Sequence, residues 1–106
     1  MIGVVMFLAA ESATFMDGDE LYALCKGSKA EQLQCLRYVE GAADGIAVAQ
    51  WSDKRNVRGV CIPTKATVKK LAKVTVTYMN KHKAERHAQA SIILWSAFKK
   101  AFPCSK

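Results

Sequence analysis

Ser28-Lys29-Ala30-Glu31-Gln32-Leu33-Gln34-Cys35-Leu36-Arg37-Tyr38-Val39-Glu40-Gly41-Ala42-Ala43-Asp44-Gly45-Ile46-Ala47-Val48-Ala49-Gln50-Trp51 is the longest periodic stretch of the chain, and its reading decides the fold. Ser28 and Glu31 have the spacing of a capping box, in which each side chain satisfies a free amide of the other at a helix start. Beyond them Leu36, Val39, Ala43, Ile46 and Gln50 or Trp51 recur every three or four residues, the apolar stripe of an amphipathic helix. Gly41 and Gly45 interrupt it, each costing roughly 1 kcal/mol relative to alanine. Close approach of another helix is the expected return, with a bend near Gly45 as the competing explanation.

Working outward, Asp17 followed by Glu20 is a second capping box. It opens a short helix with Leu21, Leu24 and Cys25 on one face and Gly27 at its end. After the long helix, Ser52 to Gly59 forms a polar loop, and Val60-Cys61-Ile62-Pro63 is a compact apolar segment. Thr67 caps a third helix whose expected apolar face is Val68, Leu71, Val74 or Thr75, and Tyr78. Lys69, Lys70 and Lys73 fall on its opposite side. Residues 81–87 are a polar turn, and a fourth helix follows with Ala88, Ser91 or Ile92, Trp95, Phe98 and Phe102 as its expected buried stripe. Pro103 stops it. The expected architecture is all-α, a compact four-helix domain.

The domain expected at residues 14–106 is preceded by an apolar run, Ile2 to Ala10. Residues 1–13 read as a signal-peptide-like leader, with small residues near Ala10 to Ala13 flanking a cleavage point. The run is too short to span a bilayer as a helix, so no stable membrane insertion is expected. Cys25, Cys35, Cys61 and Cys104 make an even count in a short exported chain, the pattern of two disulfides. The expected location is periplasmic.

Charge is distributed unevenly. Residues 1–50 carry three cations against seven acids, a balance of −4, while residues 51–106 carry thirteen against two, a balance of +11. A basic half of this kind suits an acidic protein face, a membrane surface, nucleic acid or simple solvation. Nucleic acid is not the expected partner, because Trp95, Phe98 and Phe102 fit a core stripe rather than exposed stacking positions. The cysteine spacings match no zinc site, and His82 and His87 are five apart, so no metal or cofactor is expected. Disulfide pairing consumes every thiol nucleophile, and both histidines lie in a lysine-rich turn that suits solvated imidazoles. An enzyme is not expected; a binding protein is. A small helical periplasmic chaperone is the alternative, which would need an exposed apolar surface.

Several segments together resemble a known family: Phe15 to Cys25 (FMDGDELYALC), Cys35 to Asp44 (CLRYVEGAAD), Cys61-Ile62-Pro63, Arg86 to Ala90, and Ala101 to Cys104. In order and with all four cysteines, they resemble the Rap/Tai family of type VI secretion amidase immunity proteins. Lys70 departs from the glutamine common at that place, and Lys83-Ala84 from a proline nearby. The resemblance implies a small periplasmic helical protein, often a homodimer, without catalytic residues, that binds and occludes a secreted peptidoglycan amidase. The expected projecting element is the loop from Ser52 to Gly59, with Lys54, Arg55, Asn56 and Arg58 facing the partner and Lys69, Lys70 and Lys73 steering encounter. Four cysteines allow three connectivities. Cys25–Cys35 with Cys61–Cys104 is favoured, since the first would tie two helices across a short turn. Cys25–Cys61 with Cys35–Cys104 is the main competitor.

Overall fold

Local side chains satisfy the first amides of three of the four helices. The computed structural model describes residues 15–52 and 59–104, and everything below concerns those residues. Helix α1 spans Gly18–Cys25, α2 Lys29–Ser52, α3 Val68–Lys81 and α4 Ala90–Ala101, with a 3-10 helix at Lys83–His87. At α1 the Asp17 carboxylate accepts from the Glu20 amide at 2.8 Å, and Glu20 accepts from the Asp17 amide at 3.0 Å. At α2 the Ser28 and Glu31 pair repeats this exchange at 2.9 and 3.2 Å. Thr67 Oγ1 accepts from the Lys70 amide at 3.1 Å, capping α3. Its β-branched run, Val74 to Thr77, stays helical because Leu71, Thr75 and Met79 on one face are drawn into the core.

Two disulfides bind the helices, Cys25–Cys35 and Cys61–Cys104, each with a Cα–Cα distance of 5.0 Å. The first joins the end of α1 to the second turn of α2. The second fastens the segment before α3 to the residue beyond Pro103, so α3, the 3-10 helix and α4 all lie inside one covalent ring. In the chain-entropy picture closing rings of these sizes is worth about 3 and about 4 kcal/mol. Such bonds persist outside the reducing cytosol. No helix among the described residues is long and apolar enough to cross a membrane.

The core centres on α4. Ala90, Ile93, Leu94, Ala97 and Phe98 are buried there, against Leu21 of α1, Cys35 and Val39 of α2, Leu71 and Met79 of α3, and Val60. Thr75 is fully buried too, and its hydroxyl donates to the Leu71 carbonyl at 2.9 Å, which removes the cost of burying it. Gly18 lies where α1 begins against α4 and the 3-10 helix; a methyl group there would strike Ile93 and the Arg86 carbonyl. That close approach lets Gly18 N donate to Ala88 O at 2.9 Å and Ala90 N to Met16 O at 2.8 Å.

Three expectations are corrected and one open alternative is decided. The buried stripe of α4 is turned from the expected one: Ile92 is 56% exposed, Ala88 is exposed, and Ser91, Trp95 and Phe102 are only half-buried. This helix is apolar on most sides, so several stripes fit its spacing equally. On α3 the deepest line is Leu71, Thr75 and Met79, with Val74 and Tyr78 at its margin. On α2 Gln50, not Trp51, faces inward; Trp51 is 76% exposed. Finally, a side chain built at Gly41 or Gly45 would meet nothing within 4 Å among the described residues, so none of the described helices approaches them that closely.

The register of α4 has a direct check in denaturant titrations of the oxidised protein. Ile93→Ala is expected to lower stability by about 2–5 kcal/mol, whereas Ile92→Ala, one position away, stays within about 0.5 kcal/mol of the parent.

Candidate functional site

The connection between α2 and α3 is pinned at both ends. Gln50, in the last turn of α2, uses both ends of its amide: Nε2 donates to the Val60 carbonyl at 2.8 Å and Oε1 accepts from the Val60 amide at 2.5 Å. The amide thus acts as a short piece of strand, answering the donor and acceptor of a buried residue. Gly59 leaves space for it, because a side chain there would push the Gln50 amide off Val60. On the other side Val60 forms an isolated bridge with Pro103. Cys61 N donates to Phe102 O at 2.8 Å, Cys104 N donates to Gly59 O at 3.3 Å, and the Cys61–Cys104 bond locks the pairing. Lys54, Arg55, Asn56 and Arg58, the expected contact residues of this loop, lie outside the described residues.

Lys69, Lys70 and Lys73 are exposed on α3, and two grooves meet at this face. One, of about 510 Å³, runs between α3 and α4, with Lys70, Lys73, Lys81 and Lys100 around Val74, Tyr78, Ala97 and Ala101. The other, of about 370 Å³, crosses α1, α2 and α3 and brings Lys26 beside Lys69 and Lys73 at the Cys25–Cys35 bond. Lys73 belongs to both. The structure therefore gathers the three expected lysines with Lys26, Lys81 and Lys100, which sequence reasoning left out. Spacing alone could have shown Lys81 on the face of Lys70 and Lys73; Lys26 and Lys100 join only through tertiary packing. A third groove, of about 440 Å³ and mainly apolar, lies between α2 and α4 at Ala42, Gly45, Ile46, Ala49 and Trp95.

The turn after α3 is more ordered than its polar composition suggests. His82 is not a free surface imidazole: its ring stacks on Tyr78 with centroids 3.9 Å apart, and Nδ1 lies 2.8 Å from the Tyr78 carbonyl. Arg86 sits 3.7 Å from the centre of the Tyr22 ring and donates from Nε to Met79 O at 3.1 Å, joining the 3-10 helix to α1 and α3. His87 meets Asp19 at 2.9 Å on the exposed surface. The Tyr78 hydroxyl donates to Glu85 at 2.7 Å. Burial first, and then the adjacent Glu85 carboxylate, push the Tyr78 phenol up; burial does the same for Tyr38, with the Ser91 hydroxyl pulling the other way. Among the described residues no group of three His, Cys, Asp or Glu is placed to hold a metal ion, and no cysteine is free.

The arrangement presents two surfaces, a covalently braced loop base and a lysine-lined helix pair. The sequence pattern of the family described as Rap1a immunity proteins matches residues 17–104, a span that takes in all four cysteines, every described helix and the segment between α2 and α3. No curated protein and no solved structure matches the chain.

Two outcomes follow. Gln50→Ala strands the buried amide of Val60, so stability should fall by roughly 1–3 kcal/mol, and hydrogen exchange at Val60 should quicken while that at Leu21 keeps its rank. A folded-state phenol pKa above the ordinary 10 means the native fold favours the neutral form. Stability is therefore held below about pH 10 and lost as pH rises through the raised folded values. Tyr78→Phe should make that alkaline loss shallower in thermal melts.

Proposed function

The chain belongs to the Rap1a immunity family, and from that premise we propose that it protects against a type VI secreted peptidoglycan amidase by binding and occluding it in the periplasm. Family membership carries the coarser part, an immunity role in which this protein binds an effector protein rather than turning over a substrate. The leader at residues 1–13 would direct export, consistent with a fold held by two disulfides.

The observation that supports occlusion best is the pinned base of the loop. A plug that must order itself on binding spends interaction energy doing so, and one held in advance spends less. The Gln50 amide and the Cys61–Cys104 bond fix the two ends from which residues 53–58 depart. Lys54, Arg55, Asn56 and Arg58 then meet the polar wall of the amidase cleft, and Lys69, Lys70 and Lys73 draw an acidic partner in. A homodimer fits the same frame. Among the described residues nothing covers Gly41 and Gly45 on α2, and Val48 and Trp51 further along it are 63% and 76% exposed, so a second copy could pack a helix there.

The test mixes the oxidised mature chain with a candidate cognate peptidoglycan amidase. A stable complex is expected, with peptidoglycan hydrolysis reduced to background at equimolar protein. Reversing the charges of Lys54, Arg55 and Arg58 should speed dissociation, whereas reversing Lys69, Lys70 and Lys73 should mainly slow association and weaken its salt dependence. No complex and no protection would end the amidase reading.

A further inference from the structure

The groove between α3 and α4 has a form that a charge count alone does not convey. From α3 it is lined at Lys70, Lys73, Val74, Thr77, Tyr78 and Lys81, the three- and four-residue steps of a single helix face. From α4 it takes Ala97, Lys100 and Ala101, spaced in the same way. Apolar and small side chains make the floor, lysines from both helices make the rim, and no acid lines it. Along α3 the stretch from Lys70 to Lys81 is about 16 Å long, three turns of helix. Alanines at 97 and 101 leave room for another backbone to come close.

We propose that this groove is a docking site for an acidic amphipathic helix of a partner protein, its apolar stripe on Val74, Tyr78 and Ala101 and its carboxylates paired with Lys70, Lys73, Lys81 and Lys100. Charge complementarity selects the occupant, and the groove shape selects its form, since a channel between two helices accepts a third helix by its apolar edge. A membrane fits less well. A bilayer presents no ridge to enter a groove, and the large apolar side chains exposed among the described residues, Phe15, Leu33, Val48, Trp51 and Ile92, are all absent from the lining. A nucleic acid would leave the apolar floor unused. The inference deepens the proposed function in locating where an effector is gripped beyond its cleft, and it rests on that reading only for the partner's identity.

The experiment uses the full oxidised chain and four labelled probes: a three-turn helical peptide with leucines on one face flanked by glutamates, the same peptide with lysines for glutamates, duplex DNA, and phosphatidylglycerol vesicles. Saturable binding of the acidic peptide is expected, weakening with salt and at least about tenfold in the double variant Lys73→Glu, Lys81→Glu. Ala101→Trp keeps every charge but fills the floor at an exposed position, and it should abolish peptide binding while the thermal melt is unchanged. Failure of the acidic peptide to bind, equal binding of the lysine peptide, binding that survives Ala101→Trp, or a preference for DNA or vesicles would each overturn the proposal. Inhibition of the amidase without peptide binding would remove the groove and leave the immunity reading; peptide binding without inhibition would do the reverse.

Discussion

A covalent bond joins Cys61 to Cys104 across a sequence separation of 43, and within the ring it closes lie α3, the 3-10 helix and the whole of α4. Most of the core side chains come from the ring, with Phe98, Ile93, Leu94 and Met79 among the largest fully buried or nearly so. A domain of this size has a modest core, so restricting the unfolded chain counts for much of what remains after the entropy of ordering is met. The ring also decides where Val60 goes. Its backbone is held by Gln50 on one side and paired to the end of α4 on the other, so the exit from α2 and the end of the last helix become one structural unit.

That unit links stability to function. Binding by a rigid surface avoids an ordering cost at the moment of encounter, and the two disulfides that brace this surface persist outside a reducing compartment. The smaller ring, Cys25–Cys35, braces the opposite end and forms part of a lysine-lined groove. Both staples therefore stand beside surfaces suited to a partner. The acidic N-terminal half and basic C-terminal half of the sequence are folded so that α3 and α4 present cations together, a field that acts on association before any contact forms.

Features governed by neighbours in sequence were legible. The capping boxes at Asp17 and Ser28, the Thr67 cap and the stop before Pro103 depend on hydrogen bonds three residues apart or on a missing amide, and each appears where its residues predict. The favoured cysteine pairing is the one in the structure. Features governed by packing were not legible. A helix with apolar residues on most sides, as from Ala90 to Ala101, has no single stripe to read. Gln50 reads as a boundary residue until Val60 is brought to it. Gly41 and Gly45 predict a neighbouring helix, and among the described residues none comes. Arg86 reads as a solvated cation in a turn, yet its guanidinium rests on Tyr22, a contact across more than sixty positions of sequence that no local pattern records.

Because the loop base and the core both hang on which sulfurs are joined, the most direct measurement is non-reducing proteolysis of the purified exported protein followed by mass mapping of the linked peptides. The account predicts two cross-linked species, one joining Cys25 to Cys35 and one joining Cys61 to Cys104. A Cys25–Cys61 peptide, or four alkylatable thiols in protein that still folds and still binds its effector, would contradict it.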